Sequence, residues 1–278
     1  MRIQFLGTAA AEGFPAVFCN CIHCQRARAL GGKNVRTRSQ TLINDDLLID
    51  LPADTYLHFL QNGIRGDRIG TLLITHSHCD HFYPDELGNH GSCYAHDLER
   101  PELNVVASLD VAMRLQRELA VMDPKTAATL SVHVAKPFVP MILDGYEITP
   151  LPARHAFGEQ ALIYLIREGE RCLLYAHDTG MLYDEVFAYL EKRGIVLDGV
   201  SLDCTNGLIS IKDTGTHMGF PNIARVIDRL RCIGAVREDT VMVVNHFSHN
   251  AAPIQEDLEA LAAPLGCLVA YDGFTVSL

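Results

Sequence analysis

The stretch Thr75-His76-Ser77-His78-Cys79-Asp80-His81 carries three histidines and an aspartate directly after the apolar run 71–74. That run reads as a short buried strand, so the cluster lies where a strand gives way to a loop. A tight loop can turn all four side chains toward one point, which a straight strand or helix cannot do. Imidazole nitrogens with a carboxylate suit zinc, iron or manganese. Spacing this close marks a metal site more readily than a solvated polar loop.

Working outward, three more candidate ligands have the same context. His155 follows the strand-like segment 146–151, Asp178 follows 171–176, and His246 follows the run 240–244. Taken singly, each could equally be structural, and His177 competes with Asp178. On extended backbone the two would face opposite ways. The H-x-H-x-D-H pattern after a strand resembles the signature of the metallo-β-lactamase superfamily. That resemblance implies two divalent cations, zinc or manganese. His76, His78 and His155 would hold one, Asp80, His81 and His246 the other, and Asp178 would bridge them. A water shared by two such cations, about 3.5–4 Å apart, is acidified toward neutrality. The resulting nucleophile can attack phosphorus or a carbonyl carbon, and Asp80 counts among the catalytic residues as well as the ligands.

A second metal pattern lies near the N-terminus. Cys19, Cys21 and Cys24 form C-x-C-x-x-C, three thiolates suited to one tetrahedral zinc with a fourth ligand from elsewhere. His249 is the expected fourth ligand and His23 its competitor. His246 and His249 would then join the two sites through one segment. This zinc would be structural, held by a loop at about 14–34. Together with the paired histidines, the cysteines narrow the resemblance to the phosphoribosyl cyclic phosphate phosphodiesterase branch. A coenzyme PQQ biosynthesis branch has a similar cysteine loop.

The remaining residues set bounds. The chain has 278 residues, 48% hydrophobic and 21% charged, enough for a large core in one domain or for two small ones. Strands and helices mix in both halves, an α/β (α+β) pattern, and no internal repeat or linker separates them. The resemblance implies a four-layer αββα sandwich spanning 1–278 as one domain. No apolar run approaches the roughly 20 residues that span a bilayer, and the N-terminal strand lacks a secretory h-region. Nine cysteines, some clustered, suggest metal rather than disulfides in a reducing compartment, so a cytoplasmic protein is expected. A net charge of −11 argues against nucleic acid as a partner but not against a small anion held by metals. No membrane partner is expected, and a homodimer is left open.

Other residues carry weaker expectations. In the phosphodiesterase branch a histidine in the region of His217 protonates the leaving alkoxide, a role suited to imidazole. Asp203 would orient a ligand histidine. Tyr83, Arg154 and Arg38 are candidate substrate contacts. The long segment 82–101 is expected to form a lid or substrate loop, and Cys79 to be small and buried. The expected activity is hydrolysis of a small phosphate ester, cyclic ones included. Hydrolysis of a lactone, ester or thioester, or a PQQ-type role in cofactor synthesis, is the alternative.

Overall fold

The computed structural model describes residues 1–251 and 253–278. Six strands open the first sheet: β1 (Arg2–Gly7), β2 (Gln40–Ile43), β3 (Leu47–Ile49), β4 (Thr71–Leu73), β5 (Leu103–Ala107) and β6 (Leu130–Val134). The second sheet takes β7 (Met141–Leu143), β8 (Tyr146–Pro152), β9 (Leu162–Glu168), β10 (Arg171–Ala176), β11 (Gly199–Asp203), β12 (Val241–Asn245) and β13 (Cys267–Val269). The last strand, β14 (Phe274–Ser277), returns to pair with β1. The orders are β14-β1-β2-β3-β4-β5-β6 and β13-β12-β11-β10-β9-β8-β7. Each sheet joins an antiparallel part to a parallel part: β3 to β6 are parallel in one, and β10 to β13 in the other.

Seven helices are present among the described residues: α1 (Ile22–Leu30), α2 (Thr55–Asn62), α3 (Leu109–Leu119), α4 (Pro124–Ala127), α5 (Asp184–Lys192), α6 (Phe220–Cys232) and α7 (Gln255–Ala262). Alternating side chains decide the layers. In β10, Leu173 and Tyr175 meet Phe5, Ile49 and Leu73 between the sheets. Cys172, Leu174 and Ala176 instead face the outer core under α5, α6 and α7. The α6 stripe Ile223, Val226, Ile227 and Leu230 has helical spacing and is wholly buried. On the other side, Val111 and Leu115 of α3 close the outer face of β3, β4 and β5. The result is the expected αββα sandwich.

Two expectations change. The segment 82–101 is not a lid over the metal cluster. Phe82 and Leu87 pack on the outer face of the first sheet, and residues 86–98 help line an apolar cavity of about 660 Å³ there. The cysteine segment is not all loop, because Cys24 lies in the first turn of α1. That helix was hard to read because its buried face is only Cys24 and Ala27, both small. Among the described residues, no helix is long and apolar enough to cross a membrane.

Candidate metal centre

The carboxyl ends of β4, β8, β10, β11 and β12 converge, and each delivers one or more polar side chains. This is where ligands collect in open α/β sheets. Asp178 and His246 adopt left-handed backbone, with φ 51° and 63°, as does Asp50 with φ 65°. Non-glycine residues adopt that conformation at a cost, usually where a functional site requires it.

Two donor sets share Asp178. One comprises His76, His78, His155 and Asp178; the other comprises Asp80, His81, Asp178 and His246. His76 Nε2 is 2.9 Å from His78 Nδ1, and His155 Nε2 is 3.1 Å from the same nitrogen. Asp178 Oδ2 lies 3.2 Å from His76 Nε2 and 3.0 Å from His81 Nε2. His81 Nε2 is 3.3 Å from both Asp80 Oδ2 and His246 Nε2. Donors at roughly 2.0–2.1 Å from one tetrahedral zinc lie about 3.4 Å apart, so this spacing fits a cation within each set. Asp178 Oδ1 is moreover buried without a hydrogen-bond partner among the described residues. Its nearest neighbours are imidazole nitrogens, His217 Nδ1 at 3.0 Å and His155 Nδ1 at 3.3 Å, and a buried carboxylate oxygen close to imidazoles without an aligned hydrogen bond fits a bridging ligand.

Burial opposes ionisation of Asp178, yet His246, His217, His76 and His81 together hold its carboxyl well below the usual range. Burial likewise opposes charge on His81, but Asp80 and Asp50 push it well above 6.5. His155 is lowered to about 4, chiefly by burial. A neutral imidazole is the form that binds a cation.

Hydrogen bonds behind the donors set their tautomers. Asp50 Oδ2 accepts from His81 Nδ1 at 2.7 Å, and Asp50 Oδ1 accepts from the Thr75 amide at 2.8 Å. The Thr216 carbonyl lies 3.3 Å from His155 Nδ1. The Thr205 hydroxyl donates to Asp203 Oδ2 at 2.8 Å and accepts from His246 Nδ1 at 2.8 Å. Asp203 thus reaches His246 as expected. Asp50, Thr75 and Thr205 escaped the sequence reading because isolated threonines and aspartates at strand ends carry no spacing signal.

His217 enters from the loop 206–219. Its Nδ1 is 3.0 Å from Asp178 Oδ1 and 3.3 Å from Asp203 Oδ2. Against burial, those two carboxylates push it up to about 10. With Asp178, Asp203 and His246 it forms a further overlapping donor set. His177 faces the other way, between Tyr175 and Phe5, with Nε2 2.5 Å from Ser201 Oγ.

The cysteine set assembles with His249, not His23. His249 Nδ1 is 3.6 Å from Cys24 Sγ and 3.9 Å from Cys21 Sγ. Donors of one tetrahedral zinc, at roughly 2.3 Å for sulfur and 2.0–2.1 Å for nitrogen, would be about 3.6 Å apart. The Cys24 amide and His249 lower the Cys21 thiol to about 6, while burial raises Cys24 to about 11. Cys79, between His78 and Asp80, is exposed rather than buried.

A cavity of about 340 Å³ opens on the two donor sets that share Asp178, lined also by Glu12, Thr205, Asn206, His217, Ser248 and Asn250. Tyr83, Arg154 and Arg38 do not line it. Arg38 is bound to Asp54 and the Ala11 carbonyl, and Arg154 stacks on Tyr183.

Comparison with known proteins agrees with this architecture. A family model described as the beta-lactamase superfamily domain matches residues 49–247. Coenzyme PQQ synthesis protein B of Acinetobacter baumannii (strain ACICU) is 24% identical over 311 aligned residues, covering 100% of both chains. A diphosphatase from the PhnP family superposes with a TM-score of 0.71 at 22% identity, over 99% of this chain and 97% of that one. Zn(2+)-bound PqqB from Methylobacterium extorquens gives a TM-score of 0.73 at 17% identity, covering 100% of both chains.

Proposed function

The chain belongs to the beta-lactamase superfamily, and on that premise we propose that it is a binuclear metal-dependent phosphodiesterase. Its substrate in this reading is a small phosphate ester, cyclic ones included, such as a phosphoribosyl cyclic phosphate. The observation that carries the reading is His217, held 3.0 Å from the shared Asp178 at the wall of the same cavity. A proton-bearing imidazole beside the two donor sets suits an ester whose leaving group is a basic alkoxide.

We assign His76, His78 and His155 to one cation, Asp80, His81 and His246 to the other, and Asp178 to both. Zinc or manganese there would supply an acidified water and offset phosphate charge. The protein's own part is to hold the donors through Asp50, Thr205 and Asp203 and to present the His217 proton to the departing oxygen. Cys19, Cys21, Cys24 and His249 are assigned to a structural zinc. The reaction is placed in the cytoplasm, in keeping with nine free cysteines.

Hydrolysis of bis-nitrophenyl phosphate, an alkyl phosphodiester, a lactone and a thioester is the test, with zinc- or manganese-loaded protein. Turnover confined to the phosphodiesters is expected, and turnover confined to the lactone or thioester overturns the reading. A second reading, a cofactor-synthesis role like that named for PqqB, draws on the end-to-end match at 24% identity. Full metal loading without turnover of any ester favours it.

A further inference from the structure

Glu12 lies in the turn after β1, and its two carboxylate oxygens are used unequally. Oε1 accepts from the Ser248 hydroxyl at 2.6 Å and from the His249 amide at 3.2 Å. Oε2 accepts no hydrogen bond among the described residues, and Glu12 lines the catalytic cavity with 29% of its side chain exposed. Asn206 and Asn250 line the same cavity, and neither side-chain amide has a hydrogen-bond partner among the described residues. No lysine or arginine lines it. Fastening residues 248 and 249 needs only one acceptor oxygen, so the second oxygen and the charge exceed what that turn requires.

We propose that Glu12, with Asn206 and Asn250, forms a subsite for the part of the substrate remote from the metals. It selects an uncharged, hydroxyl-bearing group and disfavours a second anionic group, which narrows the reading to cyclic or acyclic esters without the second phosphate of a phosphoribosyl cyclic phosphate. The inference rests on the phosphodiesterase reading. An ionised carboxylate is acceptor-only, so a hydroxyl donates to it in a charge-assisted bond. One oxygen is already fixed by two donors, so little side-chain freedom remains to be lost on binding. A second phosphate would meet that negative charge with no lysine or arginine in the lining to offset it; the imidazole nearest Glu12, His249, has Nε2 3.9 Å from the other oxygen, Oε1.

Glu12→Gln separates the two functions of the side chain. The glutamine oxygen can keep both bonds to residues 248 and 249, which puts an amide nitrogen where Oε2 stood. Calorimetry would compare three ligands on metal-loaded protein: propyl phosphate, its terminally hydroxylated form and its terminally phosphorylated form. Wild type should bind the hydroxylated ligand about tenfold more tightly than propyl phosphate, the lower end for a hydrogen bond to a charged group. The phosphorylated ligand should bind most weakly. Glu12→Gln should weaken the hydroxylated ligand, strengthen the phosphorylated one and leave propyl phosphate and metal content unchanged. Equal affinities in wild type, a uniform shift of all three ligands, or loss of metal from the variant overturns the subsite. Turnover of bis-nitrophenyl phosphate, measured alongside, reports on the phosphodiesterase reading separately.

Discussion

Asp50 Oδ2 lies 2.7 Å from Nδ1 of His81, and both side chains are completely buried. The carboxylate fixes His81 as the Nδ1–H tautomer and leaves Nε2 for the Asp80–Asp178–His246 set. In Asp50→Asn, the Thr75 amide and hydroxyl retain the oxygen, so an amide N–H faces His81 Nδ1. That favours the tautomer protonated on Nε2, which cannot bind a cation. Metal affinity should fall about 10–100-fold, the usual effect of losing such a partner. Competition titration with a chelating dye checks it, and unchanged affinity would reduce Asp50 to a packing role.

The cysteine set should behave as a separate unit. Elemental analysis of gently purified protein should find up to three divalent ions per chain, two in the catalytic sets and one with the cysteines. Cys21→Ser should lose one ion and melt at lower temperature, since a structural zinc contributes folding energy directly. Asp178→Asn should lose activity and keep the cysteine-bound zinc. A full ion complement and unaltered melting in Cys21→Ser would refute the structural zinc.

His217 is tested through the leaving group. A departing alkoxide needs a proton in the transition state, whereas a nitrophenolate does not. His217→Ala should slow an alkyl phosphodiester by about 10²–10⁴-fold and barely affect bis-nitrophenyl phosphate. Equal slowing of both, with ions retained, would indicate a binding role. Loss of an ion would make His217 a ligand of the further donor set it forms with Asp178, Asp203 and His246.

His58 gives a pH dependence independent of the metals. It is buried in α2, with Nδ1 2.6 Å from Gln40 Oε1 and Nε2 2.6 Å from Thr37 Oγ1. Burial lowers it from 6.5 to about 4. Between those values the unfolded chain binds the proton and the folded chain does not. The stabilisation is therefore complete above pH 6.5 and fades as pH falls toward 4, by about 3 kcal/mol. Urea midpoints of wild type and His58→Gln should converge as pH drops through that window, and parallel curves would contradict it.

The convergence of the candidate donors was legible because each follows an apolar strand and four of them are nearly contiguous. Strands β8 and β10 were equally clear, since apolar residues recur through the segments 146–151 and 171–176. Glu12 and Asp50 were not legible, because their importance comes from contacts to residues 248–249 and 81, distant in the chain. The segment 82–101 misled through its length: a long irregular connection suggested a lid, but Phe82 and Leu87 anchor it in the outer core. Cys79 misled through its neighbours, since Asp80 and His81 are buried while it turns out.

The cysteine set also imposes an order on biosynthesis. His249 follows Cys24 by 225 residues. At translation rates of ~5–20 residues per second, the three thiols leave the ribosome roughly 10–45 s before their fourth donor is made. His246 likewise follows His81 by 165 residues, a delay of roughly 8–33 s at the same rates. The cysteine set and the Asp80–His81–Asp178–His246 set are therefore closed by one late segment, after most of the two sheets has been synthesised. A nascent chain stalled before that segment has only the His76–His78–His155–Asp178 set complete, so the cysteine set and the His246 set await the nearly finished protein.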